Sequence, residues 1–319
     1  MKKLALFSFL SALFFSYACN RGQEQGASQD PRVAMVFKTL NNPFFIDMQK
    51  GAEGAAQALG VSLTVQAAER ELDVEKQMQI IENLIQTRVD AICVTPSGSR
   101  EIIPAIAKAN AAGIPVIIVD TRLDANAARE AAISYATFIG SDNYEGGRVA
   151  GRQMVELMQG RAKVAILEGI PGHETGDARL RGFRDAIKDS PGIQVVASQP
   201  ANWERDQGFA ICQNLLQAHS GLDAIFACND MMALGAMEAV AAAGKTGEIK
   251  IIGFDAIADA RQAIAAGTLA ASVAQFPSEM GRLAVENAVK AIRGERLPEY
   301  VPVKIELIKK ENVALEARD

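Results

Sequence analysis

Short apolar runs in this sequence keep ending in polar side chains. Val116–Val119 runs into Asp120, Thr121 and Arg122. Ala224–Ala227 is followed by Cys228, Asn229 and Asp230, Ile251–Phe254 by Asp255, and Ala271–Ala274 by Gln275. Where such runs are parallel strands, ligands bind in the crevice beyond their carboxyl ends. Carboxylates and carboxamides gathered along that edge can hold a small polar molecule through many hydrogen bonds. A second concentration is Thr39-Leu40-Asn41-Asn42-Pro43-Phe44-Phe45. Pro43 suits the first turn of a helix, where its missing N–H does no harm. Asn42 can cap that helix or reach a ligand. Phe44 and Phe45 put aromatic faces beside a turn, although a capped helix with two core phenylalanines reads the same way.

The elements that must position these groups alternate along the chain. Strand patterns are expected at Val33–Phe37, Val61–Val65, Ala91–Val94 and Pro115–Val119, then at Val164–Leu167, Val195–Ala197, Ala224–Ala227 and Ile249–Ile252. Helix patterns fall at Phe44–Leu59, from Val74 onward, and at Ile102–Ala112, Tyr144–Met158, Asp177–Lys188, Arg205–Ala218 and Met231–Ala243. From Val74 the apolar residues Met78, Ile81, Leu84 and Ile85 share one helical face. Continuous four-residue apolar runs suit strands covered on both sides. Two rounds of alternation imply two similar α/β domains, each a doubly wound parallel sheet.

The 319 residues exceed one ordinary domain, and a net charge of −5 argues against a nucleic-acid partner. Lys2 and Lys3 precede an apolar run, Leu4–Phe15, which is shorter than the roughly 20 residues a membrane span needs. This is expected to be a secretory signal peptide, residues 1–18. Ser16-Tyr17-Ala18-Cys19 resembles a bacterial lipobox, which implies cleavage before Cys19 and lipidation of its thiol. Residues 19–31 then form the lipidated cysteine and a flexible tether. Cys93, Cys212 and Cys228 remain. Their odd number leaves at least one unpaired, none belongs to a CxxC, and only His173 and His219 are present, so no metal site is expected.

Beyond the tether the chain resembles the ribose-type periplasmic sugar-binding proteins of bacterial ABC transporters. The likeness rests on the Thr39–Phe45 segment, Ser141-Asp142-Asn143 with Gly146-Gly147, Ala197–Ala201, Asn229-Asp230 with Met232–Ala236, and Gly253-Phe254-Asp255. It implies two α/β domains joined by a three-segment hinge, with the ligand in the interdomain cleft. The expected boundaries are 32–140 plus 276–304 for the first domain and 141–275 plus 305–319 for the second. The resemblance implies ligand contacts from Asn42, Phe44, Phe45 and Asp120 on one wall. Arg179, Trp203, Asn229, Asp255 and Gln275 come from the second domain and hinge. Trp203, the sole Trp, stands in the polar setting Asn202-Trp203-Glu204-Arg205, which favours stacking on a sugar over a place in the core. Lys38 replaces a small polar residue at the cleft edge, Thr95 replaces an asparagine, and Arg122 follows Asp120 one residue later than the family's arginine does. All three are expected contacts, the alternatives being that Lys38 reaches out to water and that Arg122 is a solvated loop charge; these departures put ribose itself in doubt.

The resemblance therefore implies a binding protein for a small neutral monosaccharide or polyol. It needs no cofactor, has a membrane permease as partner, and is held at the cell envelope as a lipid-anchored monomer. A sensor presenting sugar to a chemoreceptor is the alternative. The enzyme class lacks its signatures, since no G-x-G-x-x-G, G-x-S-x-G or P-loop lysine motif follows an expected strand. Repressors of the lactose type share the two-domain fold but place a helix-turn-helix where this chain has a leader and tether.

Overall fold

The computed structural model describes residues 30–314; the expected signal peptide, Cys19 and most of the tether lie outside the described residues. The first lobe opens with β1 (Arg32–Phe37), α1 (Pro43–Leu59), β2 (Ser62–Ala67), α2 (Val74–Gln86), β3 (Ala91–Val94), α3 (Ile103–Ala111), β4 (Val116–Val119), α4 (Ala125–Glu130) and β5 (Thr137–Gly140). The second holds α5 (Asn143–Leu157), β6 (Ala162–Glu168), α6 (Glu174–Ile187), β7 (Ile193–Pro200), α7 (Arg205–Ala218), β8 (Ala224–Ala227), α8 (Asp230–Ala242), β9 (Lys250–Asp255), α9 (Ala258–Ala266) and β10 (Ala271–Ala274). The chain then goes back. α10 (Pro277–Ile292) packs on α1 and β3, β11 (Tyr300–Pro302) extends the first sheet beside β5, and β12 (Glu306–Lys309) runs antiparallel to β10.

Each sheet has six strands, ordered β2-β1-β3-β4-β5-β11 and β7-β6-β8-β9-β10-β12. All pairs are parallel except β10 with β12. The strand order reverses between β1 and β3 in one lobe and between β6 and β8 in the other. At such switch points the loops diverge and leave a crevice. The chain passes between the sheets three times: after β5, after β10 and after β11. β3, β4, β8 and β10 are buried at every residue, as their unbroken apolar runs require.

Polar residues after the strands start the helices as well as facing the crevice. The Asn42 side chain accepts from Phe44 N–H at 3.1 Å with Pro43 at the first helical position. Asp142 accepts from Glu145 N–H at 2.9 Å and Asn229 from Met232 N–H at 2.9 Å. Such caps each contribute about 1 kcal/mol. Three helix pairs then approach through facing glycines. In the pair that carries Arg179, a Cβ on Gly147 of α5 would lie 2.1 Å from the Arg179 carbonyl oxygen, and one on Gly182 of α6 would lie 2.0 Å from that of Tyr144. Gly51 and Gly281 join α1 to α10 in the same way, and Gly208 and Gly235 join α7 to α8.

Gly182→Ala should therefore push α5 and α6 apart and destabilise the protein by about 1–3 kcal/mol. Equilibrium urea unfolding measures this, and an unchanged midpoint would show that the two backbones separate freely.

Candidate functional site

The carboxyl ends of the two sheets border a small, tightly lined cavity. The first lobe lines it with Lys38, Asn42, Phe44, Phe45, Glu71 and Asp120. Thr175, Arg179, Trp203, Asn229, Asp255 and Gln275 line the other side. Each lobe buries one cation with its own acids. In the first, Lys38 Nζ donates to Asp120 Oδ2 at 3.1 Å and to Thr121 Oγ1 at 2.7 Å, with Glu71 Oε2 at 3.8 Å. In the second, Arg179 donates from Nε to Asn143 Oδ1 at 2.8 Å and from Nη1 to the Cys228 carbonyl at 2.6 Å, while Asp255 Oδ1 lies 3.4 Å from Nη1. The Arg179 guanidinium also sits 3.8 Å above the Phe254 ring and 5.6 Å from that of Trp203.

The backbone bends to aim these groups. Asp120, Trp203 and Asp255 have φ of 66°, 69° and 106°, a region that side-chain-bearing residues rarely occupy. Buried Asp230 pins the Asp255 turn: its Oδ2 accepts from Ile257 N–H at 2.9 Å, and Oδ1 accepts from Ser272 Oγ at 2.7 Å. Ser272 Oγ in turn accepts from Ala256 N–H at 3.0 Å. Gln275 Nε2 donates to Asp255 Oδ1 at 2.9 Å.

Several cavity atoms make no hydrogen bond to another described residue. Gln275 Oε1 and Trp203 Nε1 are buried without a partner. Lys38 and Thr121 both donate to Asp120 Oδ2, and Oδ1 accepts no hydrogen bond from the described residues. These atoms include acceptors that need a donor and a donor that needs an acceptor. A hydroxyl supplies both.

Burial dominates the proton equilibria. It lifts Glu71 from the ordinary carboxylate range to about 7, against the opposing pull of Lys38. It lifts Asp255 to about 6, against Arg179. His173, at the start of α6, is 4% exposed and meets the Ser97 backbone across the seam between the lobes. Burial and the Lys38 charge depress it to about 4. Cys93, Cys212 and Cys228 are free and buried, with burial raising all three thiols and Cys212 and Cys228 reaching about 12. Among the described residues no group of three His, Cys, Asp or Glu side chains could hold a metal ion, and no helix is long and apolar enough to cross a membrane.

Ten of the expected contacts converge on the cavity, and two do not. Thr95 is fully buried behind it, its Oγ1 accepting from Lys38 N–H at 3.0 Å. Arg122 turns away and stacks 4.0 Å from the Phe138 ring and 4.4 Å from that of Tyr300. Those two rings lie 24° from parallel, and the flat guanidinium gains more against them than in solvent. Two environments also differ from expectation. Lys38 is 2% exposed, inside the cavity and not at the cleft edge. Trp203 is 5% exposed and part of the apolar core, its indole resting where Gly169 and Gly176 leave room. It therefore serves packing as well as lining the cavity. Glu71 and Thr175 were not expected. Glu71 lies four residues beyond β2, whereas Asp120 directly follows β4, so the strand-end pattern does not mark it.

The residues 33–296 match the family model described as a periplasmic binding protein domain. The ribose import binding protein of Bacillus subtilis is 36% identical over 315 residues, which cover 96% of this chain and 99% of that protein. The D-allose-binding periplasmic protein of Escherichia coli is 35% identical, covering 84% and 88%. A solved ABC transporter solute-binding protein from Actinobacillus succinogenes with bound D-allose superposes with a TM-score of 0.85 at 38% identity, covering 90% of this chain and all of that one.

Glu71 and His173 should tilt stability in opposite directions with pH. The folded value of Glu71 lies above its ordinary one, so its contribution is complete below about pH 4.5 and is lost as pH rises through about 7. The folded value of His173 lies below its ordinary one, so its contribution holds above about 6.5 and is lost as pH falls through about 4. Relative to the native chain, Glu71→Gln should gain stability as pH rises from about 4.5 to 7. His173→Asn should gain as pH falls from about 6.5 to 4. Thermal unfolding between these limits reads both, and pH-independent offsets would mean that neither group is perturbed.

Proposed function

The chain belongs to the periplasmic binding protein family, whose members are binding proteins and not enzymes, and from that premise we propose that it captures a small neutral monosaccharide or polyol between its lobes and delivers it to the permease of an ABC importer. One observation carries this reading: buried cations and acids already paired within each lobe, beside unpartnered donors and acceptors and three aromatic side chains. Lys38 and Arg179 each have a carboxylate, so an anionic ligand meets no free cation. Hydroxyls can donate to Asp120 and Gln275 and accept from Trp203 Nε1. Phe44 and Phe45 on one wall and Trp203 on the other suit the C–H faces of a ring.

Capture follows from hinge closure about the three crossings. A ligand favours the closed state only through contacts made by both walls together. The domain boundaries proposed are 32–140 plus 276–304 and 141–275 plus 305–319. The protein acts as a monomer without a cofactor, outside the cytoplasm at the cell envelope. Lipid on Cys19 holds it to the membrane through the tether that ends near residue 31. The lipobox-like Ala18-Cys19 junction after a charged, apolar leader supports this anchor.

Calorimetry against pentoses, hexoses and polyols should find a neutral ligand, with no binding of the corresponding sugar acids or phosphates. Asp120→Ala and Arg179→Ala should each weaken it at least tenfold, since truncating a buried charged partner removes about 2–5 kcal/mol. Wild-type affinity in both variants would remove these residues from the site.

The mature chain should begin at a lipidated Cys19 and partition with membranes, and Cys19→Ala should leave unprocessed precursor. Intact mass settles it, an unmodified cysteine in the mature chain being the contrary result.

A further inference from the structure

Helix α6 carries Arg179 into the cavity, yet its own N-cap residue gives its first turn no side-chain hydrogen bond. His173 holds the capping position in an extended conformation and caps nothing. The Glu174 N–H, one of the orphan donors of that turn, instead reaches Ser99 Oγ at 3.1 Å. Ser99 belongs to the other lobe, in the loop between β3 and α3. That loop is fixed in turn by Asp124 N–H donating to the Ser99 carbonyl at 2.8 Å. Ser99 is 2% exposed and does not line the cavity.

A second bond crosses the seam beside it, from Thr175 to Thr121, with their Oγ1 atoms 3.0 Å apart. Thr121 has one hydroxyl proton, and Asp120 Oδ2 lies 2.9 Å from it as an acceptor only. With that proton on Asp120, Thr175 is the donor across the seam, and the oxygen of Thr121 accepts from both Thr175 and Lys38. The first turn of α6 is thus tied to the first lobe at two successive residues, one of which is out of the ligand's reach.

We propose that Ser99 is a positioning residue for closure: it caps α6 only while the lobes are together, and so sets the closed population and the ligand affinity without touching the ligand. The proposal deepens the reading of the cleft as a sugar site and rests on it. Separating the lobes removes the only side-chain cap that this turn has among the described residues. A contact present only in the closed state adds to the closing equilibrium of every ligand alike, because apparent affinity scales with the competent fraction.

The test compares the native chain with Ser99→Ala and Ser99→Thr. Small-angle scattering without ligand reads the open and closed populations, and calorimetry with D-ribose and D-allose reads affinity. Ser99→Ala should shift scattering toward the open form and weaken both sugars by the same factor, about twofold to thirtyfold, the range that loss of a cap implies. Ser99→Thr, which keeps the hydroxyl, should restore both. A change for one sugar only would place Ser99 in contact with ligand and overturn the proposal. So would a lowered melting temperature with unchanged scattering, which would make Ser99 a helix cap and nothing more. If the native chain binds neither sugar, the functional reading loses these ligands, and the scattering comparison alone still decides the role of Ser99.

Discussion

Two positive charges have to be kept out of water at the centre of this molecule, and each is neutralised inside its own lobe. Lys38 lies between Asp120 and Glu71, and Arg179 between Asp255 and the Cys228 carbonyl. A buried charge stripped of its partner destabilises a protein by several kcal/mol. Had the lysine of one lobe been paired with an acid of the other, every opening of the cleft would have carried that penalty. With the pairs kept local, a parting of the lobes would leave each ion pair intact. The contacts across the seam include neutral hydrogen bonds, from Glu174 N–H to Ser99 and between Thr121 and Thr175, the meeting of His173 with the Ser97 backbone, and a long, partly exposed Arg70–Glu204 pair at 3.9 Å. Interactions of this size are weak beside the buried ion pairs.

The scaffold supports those charges by close approach. Facing glycines let α5 and α6 touch backbone to backbone, so Arg179 stands on a helix packed closely against its neighbour. The left-handed backbone at Asp120 and Asp255 ends each strand abruptly and turns its carboxylate into the cavity. Asp230 and Ser272 hold the second of these turns by hydrogen bonds on both sides. Strain is thus placed at residues that line the cavity and offset by an ordered polar network behind them.

Much of this was legible in the sequence because strand ends announce themselves. Asp120, Asn229, Asp255 and Gln275 each follow an apolar run that only a covered strand explains, and the Asn42-Pro43 pair marks a helix start. Glu71 escaped because β2 is an edge strand, half-exposed along its length, and Glu69-Arg70-Glu71 reads as a solvated charged loop. Only the fold brings Glu71 beneath Asn42 and Lys38. Arg122 was misplaced because adjacency to Asp120 says nothing about direction, and two aromatic rings, one from β11 some 180 residues on, claim it. Trp203 has polar neighbours in sequence, yet its indole folds back onto Gly169, a contact no local pattern records. β11 and β12, with three and four residues, are too short to show a period.

The return of the chain to both sheets has a kinetic consequence. The first lobe has α1 and β5 early in the sequence, but the helix that covers them, α10, and the strand beside β5 come only after the whole second lobe. The second lobe in turn lacks β12, the edge partner of β10, until the last dozen described residues. During synthesis neither half can finish its core when its own strands emerge. The face of α1 that carries Gly51 and the outer edge of β10 stay uncovered until α10 and β12 have been made. Pairings this distant in sequence fold slowly. A nascent chain built this way can complete neither core before the segment after β10 has been made, so the two halves finish in close succession.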